Sequence, residues 1–320
     1  MKKKYALFIL IISILFLCIF FLFKNEKQYD DTFLYFDTLI EVKYKGKKDY
    51  KKEIEELFLH YHNLTTRYEE YGNNVYGILH NKEESETLEL NPDLYEMLEY
   101  AQSFKEKSDG KYNIELGCVF QLWKDAKEKE TIPSIEELQA CENHPLILLG
   151  NNKILNNHPN LDLGSFAKGY AVQKLGEFFQ EKEVKDYLIN AGGNVLVGTP
   201  SNKTYYRVGV QNPDNSDLLK ILNVKEKAVV TSGGYERFYE YDGVKYHHII
   251  DPGTLFPAKT MKSVTVIASD SGLADILSTT LFLMTEEEGK EFLKDYSDVD
   301  VIWVTNENEV ITTKGVSNYE

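Results

Sequence analysis

Cysteine is nearly missing from this chain, with three in 320 residues: Cys18, Cys118 and Cys141. So few thiols exclude a disulfide-framework scaffold, although one bridge between Cys118 and Cys141 is geometrically open. There is no C-x-x-C pair and no His-rich ligand set to suggest zinc. His60 and His62 stand two apart in a predicted helix, where i and i+2 do not share a face. Basic residues are in deficit, 36 Lys and Arg against 51 Asp and Glu, for a net charge of −15. That balance argues against a nucleic-acid partner, which requires clustered Lys and Arg. Internal repeats and low-complexity segments are lacking too, so most of the chain reads as one domain.

Long hydrophobic runs are absent but for one. Lys2, Lys3 and Lys4 precede an apolar stretch from Tyr5 to Phe23 in which Ser13 is the only polar residue. At ~1.5 Å per residue it would cross roughly 28 Å, about the thickness of a bilayer core. The flanking lysines favour a cytoplasmic N-terminus and place the rest of the chain outside the cytoplasm. A lipoprotein or secreted form is disfavoured, since Leu15, Phe16 and Leu17 before Cys18 are bulky and no small-residue cleavage pattern follows. The expected organisation is a membrane anchor or signal segment over 1–24, a polar linker over 25–32, and an extracytoplasmic α+β domain over 33–320.

Within that domain, Phe33–Tyr44 reads as a strand interrupted at Asp37-Thr38. Ile54, Leu57, Phe58, Tyr61 and Leu64 fall at helical spacing, which predicts an amphipathic helix over Tyr50–Leu64. Thr65–Leu79 reads as irregular. Asn91 and Pro92 open a second helix as cap and first residue, and Ser134 with Glu137 forms a capping box for a short third one. Strands are expected at Leu146–Leu149, Lys153–Asn156 and Leu161–Leu163, and at Tyr187–Val197, where Gly192-Gly193 marks a bulge or a close backbone approach. Further strands are expected at Tyr206–Val210, Ile221–Val224, Ala228–Thr231 and Ser263–Ala268. A helix follows from Ser271 to about Thr285, then a final helix and hairpin.

Three stretches carry candidate chemistry. Asp162-Leu-Gly-Ser-Phe-Ala-Lys-Gly-Tyr170 is a strand end running into a helix, a geometry that aims backbone N–H groups at an anion or serves as a plain β-to-α connection. In Thr231–Pro252, two β-rich runs flank Asp242-Gly243, a dipeptide favoured in type I′ hairpin turns. His247 and His248 must face opposite sides of that strand, so one meets a cleft and the other packs or meets solvent. Asp275 and Thr279 share a helix face at i and i+4, two hard-oxygen groups of the type that holds Mg²⁺ or simply packs.

These stretches, with Asn190-Ala-Gly-Gly193, Ser232-Gly-Gly-Tyr-Glu-Arg237 and His248-Ile-Ile-Asp-Pro252, occur in an order that resembles the ApbE family of flavin transferases. Phe36-Asp37-Thr38, Gly110-Lys-Tyr-Asn-Ile114 and Leu122-Trp123 are weaker landmarks of the same pattern. The resemblance runs from about Phe33 to the C-terminus. It implies a single ApbE-like (T-fold-like) domain of mixed or antiparallel sheets with helices. It implies Mg²⁺-dependent transfer of the FMN moiety of FAD to a Thr or Ser hydroxyl of an acceptor protein, with release of AMP. On this chain the metal would meet the Ser165 carbonyl, Asp275 and Thr279. FAD would meet Lys168, with Asn113, Ile249, Thr66, Arg67, Tyr68 and Phe36 as softer matches, and His248 would be the catalytic base. Asn113 stands where an Asp is usual, Ser165 replaces a small apolar residue, and Thr254-Leu255-Phe256-Pro257 lacks the glycine common after the Asp-Pro turn. The competing readings are an FAD pyrophosphatase without protein transfer, an extracytoplasmic FAD-binding protein without turnover, and an anchored adhesion module.

Overall fold

A computed structural model describes residues 26–81, 86–142 and 144–320. The apolar run at 5–23 and Cys18 lie outside the described residues. Among those described, no helix is long and apolar enough to cross a membrane.

The centre of the molecule is an eight-stranded sheet. Its strands in spatial order are β1 (Lys27–Tyr35), β2 (Thr38–Gly46), β6 (Tyr187–Ala191), β7 (Asn194–Val197), β10 (Lys227–Gly233), β13 (Met261–Ala268), β14 (Asp300–Thr305) and β15 (Val310–Thr312). Every strand pairing among the described residues is antiparallel, so of the mixed or antiparallel sheets expected, the antiparallel arrangement is the one found. Strands β3 (Thr87–Glu89), β4 (Leu148–Gly150) and β5 (Lys153–Leu155) form a small separate sheet. Two hairpins stand apart: β8 (Tyr206–Gln211) with β9 (Leu218–Val224), and β11 (Phe238–Tyr241) with β12 (Val244–His247).

The helices are α1 (Lys51–Thr65), α2 (Val75–His80), α3 (Pro92–Lys107), α4 (Gly117–Glu128), α5 (Ile135–Gln139), α6 (Ala167–Glu181), α7 (Ser271–Phe282) and α8 (Glu286–Phe292). One face of the sheet is buried under α1, α3, α6 and α7, where Ile54, Phe58, Leu98, Phe166, Leu175, Phe179, Ile276 and Trp303 share one apolar core. Hairpin β8–β9 covers part of the opposite face through Val208, Val210, Leu222 and Val224 against Val197, Val229, Ile267 and Ile302. Alternation of apolar residues along the strands feeds both layers, as a sheet buried on two sides demands.

Several expected boundaries shift for identifiable reasons. Phe33–Tyr44 is not one interrupted strand but a hairpin, because Phe36 and Asp37 take left-handed conformations (φ 53° and 55°) and turn the chain back. Consequently Lys27–Asp31, expected as linker, lies in the outermost strand. Tyr187–Val197 is likewise two strands. Gly192 and Gly193 (φ 57° and 86°) form a tight turn rather than a bulge, which reflects the freedom of glycine at φ > 0. Residues 161–163 are not a strand, and the stretch expected to be irregular contains the helix α2. The caps behave as the sequence indicates. The Asn91 side chain accepts from the Asp93 N–H, and the Ser134–Glu137 box is closed in both directions.

Cys118 on α4 and Cys141 just after α5 form a disulfide across a sequence separation of 23. A loop of that size contributes about 3 kcal/mol by restricting the unfolded chain. It staples the α4–α5 unit, which in turn braces hairpin β11–β12. Trp123 Nε1 donates to the Leu255 carbonyl (2.9 Å) and the indole packs on Tyr246 and Phe256. Tyr239 reaches the Thr131 carbonyl (2.9 Å).

Candidate active site

One end of the large sheet gathers the β1–β2 turn, the Gly192-Gly193 turn and the end of β10, because β2, β6, β7 and β10 are neighbours in a strict antiparallel register. The first turn of α6 and the length of α7 close on this end from the helical face.

The contact between α6 and α7 depends on Gly169. Its N–H is one of the first-turn donors that a helix leaves without an intrahelical acceptor, and it donates to Asp275 Oδ2 (2.8 Å). Asn194 at the start of β7 accepts from Ser271 Oγ (2.8 Å), which turns its amide nitrogen towards Gly169 and Asp275. Lys168 Nζ lies 3.9 Å from the same Asp275 oxygen. Asp275 is only 4% exposed, and burial raises its pKa against the opposing pull of the Lys168 ammonium, the Gly169 N–H and the Asn194 amide. One turn further along α7, Thr279 Oγ1 meets Ser232 Oγ at 3.2 Å, and Ser232 also meets Ser278 Oγ at 2.8 Å.

These features fit a hard cation. A buried carboxylate whose ionised form is disfavoured gains most from a nearby positive charge. The Ser165 carbonyl, which precedes the helix cap and lies outside the helical ladder, and the Thr279 hydroxyl are of the oxygen types such an ion prefers. Among the described residues no group of three or more His, Cys, Asp or Glu is placed to hold a metal. A single carboxylate with a carbonyl and a hydroxyl suits Mg²⁺, which keeps waters and takes substrate phosphates as its remaining ligands.

On the hairpin, Asp242 and Gly243 both have positive φ (48° and 72°), which makes the tight turn expected from the sequence. The two histidines separate in function. His247 donates from Nε2 to the Ala258 carbonyl (2.9 Å) and accepts at Nδ1 from the Ile249 N–H (3.2 Å), so both nitrogens are satisfied and the ring packs on Phe282. His248 points the other way, with Nδ1 3.1 Å from the Arg237 carbonyl. A carbonyl cannot donate, so the proton sits on Nδ1 and Nε2 keeps its lone pair. Desolvation lowers the His248 pKa to about 4, and the charges of Arg237 and Lys168 act in the same direction.

Glu236 belongs to the same place. Desolvation raises its pKa to about 7 against the pull of Lys168 and Arg237, with Asp275 adding to the rise. Its Oε1 would lie 3.3 Å from a Cβ at Gly193, so the carboxylate faces the glycine turn. Both Glu236 and His248 are open to solvent while protein crowds their remaining sides. That combination belongs to the wall of a cleft. Sequence reasoning places Glu236 and Arg237 inside a motif and assigns them no role; the available signal is two charged side chains one residue beyond a glycine pair at a strand end.

The other candidate residues are less uniform. Ser165 Oγ pairs with the hydroxyl of fully buried Tyr112 (3.0 Å), which fixes the loop beside Asn113. Asn113 Oδ1 accepts from the Glu115 N–H (2.9 Å) and lines a cavity of about 310 Å³ with Leu116, the disulfide, Pro252 and Leu255. Arg67 is committed to the Gly117 carbonyl (2.6 Å), Asn160 (3.0 Å) and Asp162 (3.4 Å), so it holds the loop leading to Ser165. Thr66 Oγ1 accepts from the Tyr68 N–H (3.3 Å), and Tyr68 is exposed under the Lys124 ammonium. Ile249 is buried with both backbone groups engaged, by His247 and Ala258. The Phe36 N–H donates to His62 Nδ1 (3.2 Å), and its carbonyl accepts from Arg237 Nη2 (3.5 Å).

The ApbE family model matches residues 36–303. The chain belongs to the ApbE family. The FAD:protein FMN transferase of Treponema pallidum (strain Nichols) is 31% identical over 247 residues, covering 70% of this chain and 68% of that protein. The FAD:protein FMN transferase of Klebsiella pneumoniae (strain 342) is 31% identical over 229 residues, covering 68% and 71% respectively. The ApbE protein of Thermotoga maritima superimposes with a TM-score of 0.80 at 27% identity, over 92% of this chain and 99% of that one. The flavin transferase ApbE of Vibrio cholerae gives a TM-score of 0.79 at 22% identity, over 92% and 100%, a likeness of fold. The single α+β domain described above is therefore the ApbE fold.

Proposed function

We propose that this chain is an FAD:protein FMN transferase, dependent on Mg²⁺, that attaches FMN through a phosphoester to a Thr or Ser hydroxyl of an acceptor protein. The observation that carries the reading is that Lys168 lies 3.9 Å from the buried carboxylate of Asp275 and near enough to His248 for its charge to disfavour the imidazolium. The acceptor oxygen forms a bond to the FMN phosphorus, the pyrophosphate bond to AMP breaks, and AMP leaves with the bridging oxygen. His248 Nε2 takes the proton of the attacking hydroxyl, while the Arg237 carbonyl holds the ring in the required tautomer. Lys168 offsets negative charge on the pyrophosphate. Asp275, Thr279 and the Ser165 carbonyl would hold Mg²⁺, which when bound neutralises phosphate charge. Asn113, Ile249, Thr66, Arg67, Tyr68 and Phe36 would shape the FAD site, with Arg67 and Ile249 acting through the loops they fix.

We further propose a single-pass anchor over 1–24 and a catalytic domain outside the cytoplasm. The lysine-flanked apolar run supports the anchor, and the Cys118–Cys141 disulfide supports an oxidising compartment.

The test is mass spectrometry of an acceptor protein co-expressed with the full-length chain. Covalent FMN on a Thr or Ser is expected, and chelation of divalent metal should abolish the transfer in vitro until Mg²⁺ is restored. AMP release with no protein-bound FMN would favour the pyrophosphatase, and FAD retained unchanged would favour a binding protein.

The pH dependence has a definite sign. The folded-state pKa of His248 is depressed from 6.5 to about 4, so the unfolded chain binds more protons between these values. Its contribution to stability is complete above 6.5 and is lost as pH falls towards 4. In the same window the imidazole stays a competent base. The acid limb of kcat/KM is expected below 6.5; a limb at or above the ordinary histidine value would remove the base assignment.

A further inference from the structure

An enzyme that modifies a protein side chain needs a surface to hold the polypeptide, and the edge of the large sheet ends at the cleft. Strand β1 is the outermost strand and pairs only with β2 among the described residues, so alternate N–H and C=O groups along it face outward. The charges that usually guard such an edge stand at its far end. Lys27, Asp30 and Asp31 occupy the start of the strand, where Asp30 pairs with Lys43 (3.4 Å) and Asp31 with Lys51 (3.3 Å). Thr32–Tyr35, next to the site, carry no charge. Leu34 and Leu39 are direct cross-strand partners there, 73% and 55% exposed, and form one apolar step beside the turn. The turn is tied to the candidate base, since Arg237 Nη2 reaches the Phe36 carbonyl (3.5 Å) and the Arg237 carbonyl holds His248 Nδ1 (3.1 Å).

We propose that the uncharged end of β1, with the Leu34–Leu39 step, docks an extended segment of the acceptor protein as an added strand, which delivers its hydroxyl-bearing residue past the hairpin turn to His248. The proposal rests on the transferase reading. Main-chain pairing along β1 supplies affinity, and an apolar acceptor side chain on the leucine step sets register. The occupant is a polypeptide rather than FAD, because an open ladder edge recognises another backbone.

The test compares the full-length wild type with Leu34→Lys/Leu39→Lys, using the acceptor protein labelled in the mass-spectrometric assay. Leu218→Lys, at a comparably exposed leucine (56%) on β9, serves as control. The double variant is expected to raise KM for the acceptor about tenfold or more, leaving kcat, FAD affinity and acceptor-independent FAD hydrolysis unchanged. Hydrogen exchange over 27–35 should slow when acceptor is added. Unchanged acceptor kinetics together with unaltered exchange would overturn the docking surface while the transferase stands. The same result accompanied by lost binding to anionic lipid vesicles would assign the leucines to a membrane and overturn it equally. No FMN on any acceptor with wild type would overturn the transferase reading and the docking assignment with it.

Discussion

His248→Ala is expected to lower FMN transfer by about two to four orders of magnitude while FAD still binds. The imidazole is held by one hydrogen bond to the Arg237 carbonyl, and its side chain is open to solvent, so truncation leaves no buried partner stranded and the fold should persist. The effect should therefore fall on kcat for transfer, read by mass spectrometry of the acceptor, with FAD affinity read separately from flavin fluorescence. His247→Ala makes the contrast. That ring satisfies the Ala258 carbonyl and the Ile249 N–H, so its loss should appear first as lower stability. Full transfer activity in His248→Ala would move the proton acceptor elsewhere. Glu236, with a pKa raised to about 7 in the same cleft, would then be the group to test.

The distinction between the two histidines was legible in the sequence because a strand sends adjacent side chains to opposite faces, and the Asp242-Gly243 turn fixes that strand. Asn91-Pro92 and Ser134–Glu137 were legible for a similar reason, since a cap is satisfied within a few residues of itself. What failed depended on longer range. Phe36-Asp37 and Gly192-Gly193 looked like interruptions of single strands. Only the pairing of β1 with β2 and β6 with β7 distinguishes an interruption from a reversal. Arg67 is a softer FAD-contact match in the sequence, and the fold adds what the sequence does not show: its guanidinium meets Asn160, Asp162 and the Gly117 carbonyl, partners from distant parts of the chain. Helix α4 went unread even though Leu122-Trp123 stood out as a landmark. Its role, bracing the hairpin through Trp123 on Tyr246 and holding the Leu255 carbonyl 132 residues away, exists only in the fold.

Gly169→Ala is the second substitution expected to have a large effect, and its cause is steric rather than chemical. A Cβ at this position would lie 2.4 Å from Asp275 Cβ, 2.7 Å from the Ser271 carbonyl and 2.8 Å from Asn194 Nδ2. None of these atoms is the far end of a flexible chain; they belong to a helix backbone, a side-chain stub and a short amide held by Ser271. Helices α6 and α7 would have to separate, and overpacking of this kind costs roughly 1–3 kcal/mol. The same movement would lengthen the 2.8 Å bond from the Gly169 N–H to Asp275, which sets the direction of the carboxylate. Denaturant unfolding should show the stability loss, and the Mg²⁺ concentration needed for half-maximal transfer should rise in the variant that remains folded. Asp275→Asn supplies the comparison: it keeps the shape of the side chain and removes its charge, so it should impair metal dependence with little steric effect. If Gly169→Ala unfolds like wild type and needs no more Mg²⁺, then the approach of α6 to α7 does not aim Asp275, and the carboxylate's position must be set by Asn194 and Lys168 alone.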